Sequence, residues 1–161
     1  MTWRGSVAGV FIAPAASEPM VSLQEIRAVA GRGLEGDRYF QGAGTYSEAP
    51  GTGREVTLIE TEAVEALAHE NGIQIQAGQA RRNIVTRGVP LNHLVGREFA
   101  VGEVVLRGMR LCEPCGHLAS LTKRGIVKGL IHRGGLRAEI VQGGQIAVGD
   151  EIRPLAQSIE D

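Results

Sequence analysis

Short runs rich in β-branched residues, each closed by Gly, Pro or Asn, recur along this 161-residue chain and leave little room for helix. They are Val7–Ile12, Leu23–Val29, Glu55–Ile59, Asn83–Thr86, Glu98–Val101, Val104–Leu111, Glu139–Val141 and Glu151–Arg153. Strands this short bury their apolar faces only by closing on one another. One helix interrupts them. Thr61 is placed to cap it, Ala63, Val64, Leu67 and Ala68 make an apolar face, and Gly72 supplies a left-handed stop. A weaker helical stretch, Leu118–Leu130, is broken near Gly125. The pattern predicts a mainly β (α+β) fold: a closed or nearly closed barrel with a few peripheral helices.

Glycine supports this reading, with 23 residues scattered among varied neighbours, about twice the usual share. Ala100-Val101-Gly102-Glu103 is echoed by Ala147-Val148-Gly149-Asp150, and each precedes a strand-like run, so both predict similar turns entering a sheet. The glycine-rich region Gln41–Arg54 reads as a long loop. No domain boundary stands out. We expect one domain over 1–161, with a core from about Val7 to Arg153 and a tail from Pro154. Aromatic residues make up only 4% of the chain, so its core must be aliphatic.

A formal net charge of −1 gives no general reason to expect nucleic acid or an anionic membrane as partner. No apolar run approaches the length of a membrane span. The segment Val7–Ala16 is short for a signal peptide, is interrupted by Pro14 and begins β-rich, so it reads as a first strand and the protein as cytoplasmic.

Both cysteines lie in Leu111-Cys112-Glu113-Pro114-Cys115-Gly116-His117-Leu118, two residues apart, which is no secreted disulfide framework. Cys112 reads as the last inward residue of a strand, a small core side chain. Cys115, between Pro114 and Gly116, falls outside any periodic apolar pattern. A thioredoxin-like pair would need a βαβ context, which is missing. Structural zinc would need four ligands, and His117 and His132 stand at unusual spacings. The third reading is a single reactive thiolate, Cys115, acting as sulfur nucleophile or soft-metal ligand.

Three further clusters could hold an anion. Gly31-Arg32-Gly33-Leu34-Glu35-Gly36-Asp37-Arg38 lets backbone approach a ligand, though it fits neither a dinucleotide fingerprint nor a P-loop and reads equally as a tight turn. Arg81, Arg82 and Asn83 precede a strand, where Arg82 and Asn83 cannot both point inward on a regular pleat. His132-Arg133-Gly134-Gly135-Leu136-Arg137 is a basic turn, with Lys123, Arg124 and Lys128 upstream, that could equally be a solvated face. Convergence of these loops at one end of a barrel is the expectation.

Five pieces in order carry a family resemblance. They are Gly33 to Tyr39 (GLEGDRY), Arg82 to Gly88 (RNIVTRG), Leu94 to Phe99 (LVGREF), Leu111 to Cys115 (LCEPC), and Gly134-Gly135-Leu136 through Gly143-Gly144 to Gly149-Asp150. Taken together they resemble the MOSC domain, named for the C-terminal domain of molybdenum-cofactor sulfurases. The resemblance implies a distorted barrel of the pyruvate-kinase barrel type and a site built around one cysteine, which maps onto Cys115. In sulfurases that cysteine carries persulfide sulfur or meets the cofactor. In amidoxime-reducing and hydroxylaminopurine-reducing relatives it looks like a ligand to the molybdenum of molybdopterin. The resemblance carries Arg38, Arg82 and Asn83 over as holders of the anionic pterin, with Asp37 orienting an Arg, and Gly36, His117 and Arg133 complete the candidate set. The desulfurase domain of full sulfurases has no counterpart in these residues, so no pyridoxal phosphate is expected in this chain. Sulfur or electrons would come from a partner, a cysteine desulfurase or a redox protein. Three functions follow: a molybdenum-cofactor-binding or sulfur-carrying domain, a molybdopterin-dependent reductase of N-hydroxylated compounds, or an adaptor whose CxxC is structural.

Overall fold

A strand whose neighbours occupy both of its edges and both of its faces is buried along its length and mostly apolar, as in Val56-Thr57-Leu58-Ile59, where Thr57 alone is polar. In the computed structural model, which describes residues 3–15, 19–37, 40, 55–75, 80–112 and 133–155, this strand stands in the wall of a barrel. The strands are β1 (Gly5–Ile12), β2 (Val21–Leu23), β3 (Glu25–Val29), β4 (Gly33–Leu34), β5 (Val56–Glu60), β6 (Ile84–Arg87), β7 (Glu98–Val101), β8 (Val104–Leu111), β9 (Leu136–Gln142), β10 (Gly144–Ala147) and β11 (Glu151–Pro154). Helix α1 spans Thr61–Asn71, and Leu91–His93 forms a single 3-10 turn.

Seven strands close into a ring in the order β1, β11, β7, β8, β9, β5, β6, with β6 pairing back onto β1. Every neighbouring pair in the ring is antiparallel except β5 and β6. A parallel pair needs a crossover connection, and the segment carrying α1 supplies it. The interior holds Val10, Leu58, Ile84, Phe99, Val101, Leu106, Leu136, Ile140 and Ile152, aliphatic apart from one ring. A second apolar cluster (Ile59, Ala63, Leu67, Ala80 and Val85) lies between the wall and α1. The mainly β barrel expected from the sequence is therefore the observed fold, with α1 the one α-helix among the described residues.

Several expectations need correction. The run Leu23–Val29 is two strands: β2 pairs with β1, whereas β3 joins β4 and β10 in a separate three-stranded sheet. Two successive polar residues, Gln24 and Glu25, shift the alternation by one, and the chain changes sheet there. Glu139–Val141 lengthens to Leu136–Gln142, and the short, glycine-led β4 and β10 escape a β-branched pattern. Thr61 does not cap α1. The N-cap is Glu60, without a side-chain capping bond, and Thr61 is the first helical residue. Pro154 belongs to β11 and pairs with Phe99, so the tail does not begin there; a strand end tolerates the missing N–H. Gly72 does stop α1 in the left-handed region, φ 67°, donating to the Leu67 carbonyl. The echoed turns hold as well: Gly102 (φ 58°) enters β8 and Gly149 (φ 95°) precedes β11. The stretches Leu118–Leu130 and Gln41–Arg54 lie outside the described residues. Among the described residues no helix is long and apolar enough to cross a membrane.

Candidate functional site

Asn83 sits one residue before β6, where β5, the end of β1 and the turn after β4 meet. Its side chain is buried and has all four hydrogen-bonding positions filled. Oδ1 accepts from the Thr57 amide at 3.0 Å and the Thr57 hydroxyl at 3.1 Å. Nδ2 donates to the Phe11 carbonyl at 3.1 Å and to Asp37 Oδ1 at 3.3 Å. That same Asp37 oxygen accepts the Ala13 amide at 2.9 Å. Asp37 is thus a buried carboxylate that ties the turn after β4 to the end of β1, and Gly36 precedes it with φ 86°.

Arg82 takes a different direction. Its guanidinium donates from Nε to the Gly134 carbonyl at 2.8 Å, and more weakly to the carbonyls of Cys112 at 3.4 Å and Arg81 at 3.5 Å. Arg82 is 9% exposed, so burying its charge rests on these carbonyls rather than on a carboxylate partner among the described residues. The divergence expected of Arg82 and Asn83 is real, and Arg81 just before them has φ 63°. Cys112 in turn donates its amide to the Gly135 carbonyl at 2.7 Å. Arg82 and this bond together close a neck between Cys112, the first residue after β8, and the turn before β9. Cys112 is 2% exposed with a free thiol, the core side chain expected.

Beside this neck lies a small polar pocket with a cavity volume of about 30 Å³, lined by Met20, Asp37, Thr57, Arg81, Arg82, Asn83 and Arg137. Three arginines and one carboxylate share that lining, so the wall favours an anion. Arg81 and Arg137 belong to clusters that the sequence singled out. Thr57, the one polar residue among the first four of β5, was missed, and that polarity within an apolar strand is the signal that could have found it.

The expected convergence of loops is partial. Arg133 lies elsewhere, bonding Glu70 of α1 at 3.0 and 3.1 Å, and it lines a second pocket with Glu60, Glu62, Ala63, Ala66 and Asn92. Glu60 there has its carboxyl raised above the ordinary value, first by burial and then by the charge of Glu62. One Glu62 oxygen accepts the Gly88 amide at 2.8 Å, while the other is buried with no partner among the described residues. Arg32 stacks over the Phe40 ring at 4.0 Å. Arg38, Cys115 and His117 lie outside the described residues. Among the described residues no group of three or more His, Cys, Asp or Glu could hold a metal ion.

Solved structures with the same architecture include the YuaD protein from Bacillus subtilis, with TM-score 0.73 and 19% identity over 93% of this chain and 96% of that one. YiiM from Geobacillus stearothermophilus matches with TM-score 0.69 and 13% identity, over 96% of this chain and 77% of that one. YiiM from Escherichia coli gives 0.65 and 15%, over 98% and 71%. At these identities the likeness concerns the fold. Comparison with curated proteins gave no match. The MOSC domain model matches residues 45–153, about two thirds of the chain. The ring of strands, the ordered sequence pieces and this match agree, and the chain belongs to the MOSC domain family.

Proposed function

We propose that this MOSC domain carries sulfane sulfur on Cys115, receiving it from a cysteine desulfurase and passing it to a metal–sulfur cofactor. The observation that supports this best is the closed neck beside the arginine pocket. Cys115 follows Cys112 by three residues, so chain length alone keeps it within about 11 Å of that residue. The Cys112 carbonyl is bonded to Arg82, which also lines the pocket. In the loading step the Cys115 thiolate attacks the terminal sulfur of the donor persulfide. The donor S–S bond breaks, a new S–S bond forms on Cys115, and the donor cysteine leaves as thiolate with the electron pair. No external oxidant is needed.

The residues present fit the anionic end of a molybdopterin: Arg81, Arg82 and Arg137 would hold its phosphate, and the pocket suits a phosphate group better than a whole pterin. When bound, that cofactor supplies two-electron chemistry at molybdenum. Arg82 would meanwhile keep the neck closed, and Asn83 would keep the pocket floor rigid. The same pocket favours a second reading, a molybdopterin-dependent reductase of N-hydroxylated compounds with Cys115 as metal ligand. Near-stoichiometric molybdenum in protein from a cofactor-producing host, lost in Cys115→Ala, is the result that reading expects.

The carrier reading is tested by incubation with a cysteine desulfurase and cysteine, followed by intact mass measurement. The expected result is a gain of one sulfur atom, removed by reductant, kept in Cys112→Ser and absent in Cys115→Ser. An unchanged mass in wild type, or the same gain in Cys115→Ser, overturns the proposal.

A further inference from the structure

We propose that the outer face of β8 and β9 around Arg110 docks an acidic surface of the protein that donates sulfur to Cys115. The inference rests on the carrier reading for the identity of the partner, and its test reads binding apart from sulfur transfer. Along β8 the pairing with β9 slips once: Gly108 faces Ala138, but Arg110, not Met109, faces Arg137. Met109 is the extra residue of a β-bulge, a device that re-aims the side chains around it. Without the bulge, Met109 would stand opposite Arg137, and Arg110 would stand opposite the fully buried Leu136. The bulge therefore brings one guanidinium out to the surface directly across from another.

Like charges directly opposite on a sheet repel, and a neutral residue at 110 would serve the strand without that repulsion. The neighbouring row of the same sheet is balanced: Arg107 lies between Glu98 and Glu139, at 2.6 and 3.4 Å. Arg137 has an interaction of its own within the protein. The exposed Arg110 side chain makes no hydrogen bond or ion pair among the described residues. Two exposed apolar side chains accompany it: Leu111 follows it on β8, and Val95 bridges to Gly108. Arginine with apolar neighbours suits a protein interface, whereas two arginines are few for tracking a phosphate backbone. An isologous contact with a second copy would set these arginines against themselves. The partner that fits is a surface rich in carboxylates. Position selects the sulfur donor. Arg110 precedes Cys115 by five residues, so chain length keeps the two within about 18 Å. A donor cysteine must come to Cys115 to exchange sulfur, and a donor docked on this face stands beside it.

Binding of a cysteine desulfurase, followed by calorimetry, is measured in the Cys115→Ser background, which takes no sulfur. Adding Arg110→Glu should weaken binding at least about fivefold at low salt, and Arg110→Gln by a smaller factor. Arg110→Lys keeps the charge and should bind within about twofold of its parent. Salt should weaken the parent more steeply than Arg110→Glu. Arg4→Gln removes the same charge just before β1, from an ion pair with Glu151, and should also bind within about twofold. The Tm of Arg110→Gln should match that of its parent or exceed it by up to about 3 °C, so lost binding is not lost fold. With Cys115 restored, Arg110→Glu should raise the desulfurase concentration needed for half-maximal loading and leave the sulfur loaded at saturation unchanged. Binding that depends on Arg110 without any mass gain on Cys115 upholds the surface and removes the carrier reading. Equal binding by Arg110→Glu and its parent, an equal loss in Arg4→Gln, or no desulfurase binding at all overturns the docking surface, whatever the mass of Cys115 shows.

Discussion

A single amide side chain joins three parts of this molecule. Asn83 links the backbone of β5, the end of β1 and the Asp37 turn through its own four bonds. Replacing it with Ala strands several buried polar groups at once, and we expect a loss of about 3 kcal/mol in chemical denaturation. Asn83→Asp should cost at least as much, since it puts a second carboxylate against Asp37. Glu60 offers a pH test. Burial and the Glu62 charge raise its carboxyl above 4.5, while the Leu91 amide and His93 act the other way. Between 4.5 and the raised value the folded protein holds a proton that the unfolded chain has lost, so stability falls as pH rises through that window. Glu60→Gln should therefore melt higher than wild type at neutral pH, with the gap closing below pH 4.5 in a series of Tm measurements. Sequence reasoning selected Asn83, Asp37 and Arg82, all of which are buried at the site. It could not see that their polar atoms are largely used within the protein, because a residue type records what a side chain offers and not what it has already met.

At the scale of elements, glycines decide where strands pass close to one another. A Cβ at Gly135 would overlap the Leu58 carbonyl oxygen, and its φ is 112°. Gly135→Ala should therefore unfold the neck and cost more than about 3 kcal/mol, measured by denaturation. Gly96→Ala is the control: φ is 79° with nothing within 4 Å, so only backbone strain of about 1 kcal/mol is expected. Strands with β-branched residues were legible, as β1, β5 and β8 show. The split between β2 and β3 was encoded by Gln24 and Glu25, but a two-residue phase shift reads equally as an imperfect alternation. The glycine-led β10 takes its strand character from pairing with β3, a long-range cause invisible in four residues.

The whole molecule is a ring, and closure was legible because short strands with no long helices have few other ways to bury their faces. Which turns meet was not, since that depends on register. Arg82 reaches Gly134, 52 residues away, whereas neighbouring Arg133 turns to α1. The two cysteines, close in sequence, receive unequal roles on this account: Cys112 belongs to the neck, and Cys115 to the chemistry. Alkylation of the native protein over a pH series, located by peptide mass, tests that division most directly. Cys115 should react in the folded state, while Cys112, whose side chain is buried, reacts only after denaturation. Equal reactivity of the two thiols, or a Cys115 silent until the protein unfolds, would contradict it.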